Sequence, residues 1–358
     1  MMTPNEIVKL SMSDFKIELL LRNRKYKLRA IHLQLGNITS RIDMNTTNDC
    51  PVVMFQKIDN NKRKPITQLV QLRDRFQKEI DEDLCLTYVS LDEMFSIYSN
   101  LNQLFSSREI NWILRFDELK LEEFLEYVDR ILTTEFYRFK VVGGSMSNDL
   151  LRGLMEKVPE KATIVIESDI PSDYSHAKAL KFRSFKYREA RWLKIEDLFC
   201  IRKSYIVKLD ITNFDSSDVN RFLNYWSDCD KDMMKEIIIT LKEGAQINQQ
   251  EILKNLIVIS DNDGDFQFFI KARNMGHRQF VVGDLKFRER KVIFTVRDPF
   301  RENFLYEYLV LKLVHQIRDC EEIVKSRSSE ARDFQLELEE LERKLAVLNR
   351  DYVVFSYH

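Results

Sequence analysis

The chain has 358 residues, with 56 Lys and Arg against 57 Asp and Glu and a net charge of -1, so no global field draws it to nucleic acid or to an anionic membrane. Eight glycines and six prolines beside 44% hydrophobic and 32% charged residues exclude a disordered or fibrous chain and predict an ordered, helix-containing protein with a substantial core. Five cysteines (Cys50, Cys85, Cys200, Cys229, Cys320) lie far apart without a CxxC pair, which argues against a disulfide framework and a zinc module and predicts reduced, buried thiols.

Residues 3 to 22 place Ile7, Val8, Leu10, Phe15, Leu19 and Leu20 at helical spacing after a Thr-Pro start, which predicts two short helices. Three β-rich runs follow, near Leu28 to Leu35, Ile38 to Met44 and Val52 to Ile58; the Gly36-Asn37 turn signal predicts a small antiparallel sheet. The polar stretch 59 to 65 reads as a connection, and residues 66 to 80 as a linking helix.

From Leu84 a repeated pattern takes over. Seven apolar stretches centred on Leu86, Leu114, Phe139, Ile164, Leu180, Leu209 and Ile237 share an apolar-x-apolar spacing, each followed by a helix pattern or a turn. Their recurrence every ~25 residues predicts stacked strand-plus-helix units of leucine-rich type. The clearest copy runs from Ile206 through Leu209, Ile211 and Phe214 into a helix carrying Val219, Phe222, Leu223 and Trp226 on one face. Phe214, Phe185 and Leu119 stand where regular repeats carry Asn or Cys, so the array is expected to be irregular. A helix is predicted around Gln249 to Ile259, then antiparallel strands near Phe266 to Lys271, Gln279 to Val282 and Lys291 to Val296. Arg301 to Arg350 contains no Gly or Pro and predicts a long helix, broken near Ser326 to Ser329. Within it Phe334, Leu338, Leu341, Leu345 and Leu348 form a heptad seam of about two repeats, suited to capping the array from within or to dimerisation.

Catalytic motifs are missing from this pattern. Asp261-x-Asp263-Gly264-Asp265 imitates a calcium loop but offers Phe266 and Ala272 where Gly and Glu are needed. Val141 to Ser145 lacks a phosphate-loop Gly-Lys and reads as a repeat turn. The histidines (His32, His176, His277, His315, His358) are scattered, without a nucleophile signature beside them. No catalytic residue, metal or cofactor is therefore assigned, and a non-enzymatic binding protein is expected. Basic residues recur on outward strand positions at Arg115, Arg138, Lys140, Lys181, Arg183 and Lys208, joined by Asp210 and Glu236. In a stacked array they would line a mainly basic groove for an acidic protein segment, with RNA the less favoured ligand; ordinary charge alternation on a solvated strand face is the competing reading. No secretory signal and no span of ~20 apolar residues is present, which predicts a cytoplasmic or nuclear protein.

Two stretches carry a resemblance. Trp192-Leu-Lys-Ile-Glu-Asp-Leu198, with the strand Tyr205 to Ile211 and the helix Asp218-Val-Asn-Arg-Phe-Leu-Asn-Tyr-Trp226, resembles the type 2 F-box-associated domain of nematode F-box proteins. Met2 to Ser11 is similar to the second half of the F-box itself, whose Pro-Leu-rich front half is not in this sequence. The repeated pattern and the resemblance together predict an α/β fold: an irregular leucine-rich-repeat-like strand-helix array with a partial N-terminal F-box and a long C-terminal helix, the helix after Pro299 being longer than expected of the family. They divide the chain into F-box-like helices (1-27), a small sheet and linker helix (28-83), the repeat-like region (84-298) and the C-terminal helix (299-358). The resemblance further implies a substrate-recognition subunit of an SCF-type (Skp1-cullin-F-box) ubiquitin ligase, holding a Skp1-like adaptor through Pro4, Ile7, Val8 and Leu10 and an unknown protein target on the repeat surface. The alternative is a protein-interaction scaffold outside the ligase system that self-associates through its C-terminal helix.

Overall fold

A computed structural model describes residues 7, 21, 26-36, 41-45, 51-56, 91-116, 120-261, 267-326, 331-348 and 352-356. The chain forms two compact units, Met1-Pro171 and Ser172-His358. Both are mixed α/β, and among the described residues no helix is long and apolar enough to cross a membrane.

In the first unit, β1 (Tyr26–Leu35), β2 (Arg41–Asn45) and β3 (Pro51–Gln56) pair antiparallel as expected, but they do not form a small sheet of their own, because β1 also pairs in parallel with the strand that starts at Phe105. Helix α1 (Leu91–Leu104) leads into β4 (Phe105–Arg115), then α2 (Leu121–Leu132), β5 (Arg138–Ser145), α3 (Asn148–Lys157) and β6 (Thr163–Asp169). Strands β1, β4, β5 and β6 are parallel. Parallel neighbours need crossovers of one hand, which put the connecting helices on one side. Phe124, Val128 and Ile131 form the buried stripe of α2, and Leu151, Leu154 and Met155 that of α3. The two helices lie side by side, Gly153 admitting Leu125 and Lys157 reaching Asp129 at 2.6 Å. On the same side Trp112 of β4 stacks on Phe95 of α1 at 5.0 Å and meets Tyr98 edge-on.

In the second unit, β7 (Ser184–Glu189), a 3-10 turn (Ile195–Cys200), β8 (Ser204–Ile211), α4 (Ser216–Asp228) and β9 (Met234–Thr240) repeat the parallel plan. The short α5 (Gln249–Ile252) is followed by β10 (Ile257–Asp261), β11 (Gln267–Lys271), β12 (Val282–Arg288) and β13 (Lys291–Arg297), then helices α6 (Leu305–Ser326) and α7 (Ala331–Leu348) and a last strand, β14 (Tyr352–Ser356). The order is β14-β10-β11-β12-β13-β9-β8-β7, antiparallel from β14 to β9. Val219, Phe222, Leu223 and Trp226 of α4 are buried, and Trp226 meets Phe294 of β13 edge-on at 4.8 Å.

The structure corrects several expectations. Leu180 is not in a strand: residues 177-180 form a turn, Leu180 and Phe182 are buried there, and β7 begins at Ser184. The helix expected to reach Ile259 stops at Ile252, because the β-branched run Ile257-Val258-Ile259 pairs with β11 and β14. Strand β5 continues through Gly143 and Gly144 to Ser145, where a turn was expected. Cys200 is exposed, whereas Cys229 and Cys320 are buried free thiols. The C-terminal segment is described as α6 to Ser326 and α7 from Ala331; residues 327-330, on which the expected break falls, lie outside the described residues. The segment around Leu86, the linker helix 66-80 and the aspartate run 262-265 lie outside the described residues.

Candidate functional site

Because strand side chains alternate, burial of Trp112, Phe139 and Ile164 toward the helices turns their neighbours outward. On that outward face of the first unit, Asn111, Arg138 and Thr163 form one row; Ile113, Lys140 and Val165 the next; and Arg115, Val142 and Glu167 the third. Arg115, Arg138 and Lys140 thus share a face, with Lys140 paired to Glu167 at 2.5 Å.

The second unit has a corresponding face. Val207, Leu209, Ile237, Ile239 and Phe294 are buried on the α4 side. Facing the other way, one row holds Ser184, Ile206, Glu236, Thr295 and Asp284; a second holds Lys186, Lys208, Ile238, Ile293 and Lys286. Lys208, Asp210 and Glu236 therefore belong to this face, Asp210 bonded to Lys186 at 3.1 Å. Lys181 and Arg183 do not lie on a strand, as the pattern suggested; they are exposed in the turn before β7, because the strand starts later than its apolar spacing implied. The sequence reading missed Lys186, Lys286 and Lys291. Their alternation with buried Phe185, Tyr187, Leu285 and Val292 was a visible signal, but only the strand register aligns them.

Of the residues proposed for the adaptor contact, Ile7 is helical and 2% exposed; Pro4, Val8 and Leu10 lie outside the described residues.

A cavity of about 490 Å³ in the second unit is lined by Ser172, Tyr174, His176, Trp192, Asp197 and Cys200, among others. Trp192 packs edge-on against Tyr174 at 5.1 Å and donates its indole N–H to the Glu189 carbonyl. The Glu189 carboxylate takes two bonds from the Arg191 guanidinium at 2.6 and 2.8 Å. Burial raises its pKa, but the Arg191 hydrogen bonds outweigh that and hold it below the usual carboxylate range. The Cys200 thiol donates to the Asp197 carbonyl, and although the residue is exposed, partial burial and then the Asp197 charge push its pKa up, the opposite of what activates a nucleophile. His176 Nδ1 accepts from the Lys178 backbone N–H at 3.2 Å. These contacts build a frame: Ile195 and Leu198 are buried, Phe199 stacks on Tyr225 of α4 at 4.1 Å, and Glu196 pairs with Arg221.

Among the described residues no group of three or more His, Cys, Asp or Glu is arranged to hold a metal. Compared with known proteins, the chain finds no match: no family model, no curated protein and no solved structure is similar to it.

Proposed function

We propose that this chain is a non-enzymatic recruiting subunit of an SCF-type ubiquitin ligase, an irregular leucine-rich-repeat-like array that holds a target protein on its uncovered sheet face. One observation carries the binding part: in each unit the crossover helices sit on one side of the parallel strands, and in the second unit no helix among the described residues packs over the opposite, charged and aliphatic face of β7, β8, β9 and β13. A sheet face is a rigid platform, and a face of this composition suits a protein partner better than a small substrate. The ligase part rests on the resemblance of residues 192 to 226 and 2 to 11, and the chain would then act in the cytoplasm or nucleus.

The test is co-purification of tagged full-length chain from cell extract. Skp1-like adaptor and cullin at near-stoichiometric level are expected, and Val8→Asp with Leu10→Asp should abolish their recovery. If neither protein accompanies the wild-type chain, the ligase reading fails.

A further inference from the structure

The uncovered face of the second unit is not uniform. The same face is already occupied at its other end, where Val310 and Leu311 of α6 pack on Ile257, Ile259, Phe269 and Val282, with Leu345 and Leu348 of α7 against the same cluster. Among the described residues no helix packs on this face of β13, β9, β8 and β7. Across them runs the row Lys186, Lys208, Ile238, Ile293 and Lys286, two half-buried isoleucines between lysines, at strand steps of about 4.8 Å. The neighbouring row ends in Lys291 and Arg288, which pair across β13 and β12. Two of the negative charges on this face are paired, Asp210 with Lys186 at 3.1 Å and buried Asp284 with Arg297 at 3.4 Å, while Glu236 accepts from the Thr295 hydroxyl at 3.5 Å. Lys208, Arg288 and Lys291 have no carboxylate partner among the described residues. In a chain of net charge -1, a local surplus of unpaired cations beside aliphatic side chains calls for a partner carrying carboxylates beside aliphatic groups.

We propose that this face binds an acidic amphipathic helix of a partner protein, its apolar stripe on Ile238 and Ile293 and its flanking Asp or Glu on Lys208, Lys291 and Arg288. The proposal rests on the target-binding reading above. A helix is specified because the backbone groups of these strands are consumed by the sheet ladder, so an extended segment laid on the face would bury its own N–H and C=O groups unpaired. A helix satisfies them internally, as α6 does on the adjacent part of the face. Single-stranded nucleic acid would need aromatic platforms for its bases, whereas the centre of this row is aliphatic.

The test uses the full-length chain and a labelled 18-residue helical peptide with Leu at i, i+3, i+4 and i+7 and Glu flanking that stripe, read by fluorescence anisotropy. Binding that weakens steeply with salt is expected, with a loss of about tenfold or more in K208E/K291E; K208Q/K291Q, which adds no new charge, should give a smaller loss in the same direction. Equal binding by the variants, equal binding of a peptide with Lys in place of Glu, or displacement of the acidic peptide by single-stranded RNA would overturn the proposal. No binding to wild-type protein would do the same. Adaptor recovery with K208E/K291E separates the readings: adaptor retained while peptide binding never occurs removes this partner chemistry alone, and peptide bound without adaptor removes the ligase alone.

Discussion

Gly283 in β12 shows how one missing side chain sets a core contact. A Cβ there would overlap the ring of Phe294 and press on Ile270, and Phe294, 1% exposed, is itself held by Trp226 of α4. Replacing a strand glycine by alanine ordinarily stabilises by ~0.4-1 kcal/mol through the unfolded chain. Here overpacking reverses the sign, and Gly283→Ala should cost about 1-3 kcal/mol in chemical denaturation. His315 lies in α6. Burial, reinforced by Lys271, Arg273 and Arg318, lowers its pKa to about 3. Lys271, beside it, is pushed down by burial and by Lys312 and supported by Asp319. His315 therefore stays neutral in the folded protein while the unfolded chain takes up a proton below about pH 6.5, so its contribution to stability is lost as pH falls from 6.5 toward 3. His315→Gln should lose less stability than wild type between pH 7 and pH 4.5, measured by urea midpoints; parallel curves would refute this.

At the scale of elements, α4 is the best example of local sequence and tertiary packing agreeing. Its apolar stripe was legible because four residues recur at helical spacing; the cap is Asp215, one position ahead of the two serines that look like caps in the sequence, accepting from the backbone N–H groups of Ser217 and Asp218 at 3.1 and 3.2 Å. The Lys242 ammonium, bonded to the same carboxylate at 2.9 Å, outweighs burial and holds the Asp215 pKa below its ordinary value. Asp215→Ala should cost about 0.5-2 kcal/mol at pH 7. That difference should shrink as pH falls through the folded carboxyl's pKa, since a depressed carboxylate stabilises only while ionised. By contrast β7 was misplaced because burial is not secondary structure. Leu180 and Phe182 imitate a strand while packing in a loop, and the Tyr187 hydroxyl bonds to Ala179 O at 2.6 Å, tying that loop over the true strand. Strand β10 was taken for a helix and β14 went unrecognised because five-residue strands carry too few alternations to show a period. Strand-by-strand alternation put Lys208, Asp210 and Glu236 on one face, but aligning Lys186 and Lys286 with them required the register of five strands.

For the whole molecule, the C-terminal seam bears on assembly. A heptad of this length could join two chains or close one, and the structure uses it within the second unit. Leu341 is 8% exposed, Leu345 and Leu348 pack against the β10-β11-β12 cluster, and Tyr306 donates to the Leu348 carbonyl. Strand β14 then pairs with β10 directly after α7, so the seam cannot pair with another chain without stripping α7 and β14 from their own sheet. The large apolar residues left outside on α7, Leu336 at 62% and Val347 at 72% exposed, lie eleven positions apart and make no continuous stripe, which leaves too little apolar area for a stable dimer through this helix. Light scattering at micromolar concentration should therefore give the single-chain mass of 42.8 kDa. Truncation before Ala331 should uncover the cluster around Ile259 and Val310 and produce aggregation instead of a smaller monomer. A stable dimer that Leu336→Glu and Val347→Glu dissociate would show that α7 joins chains through its outer face, contrary to the packing argued here.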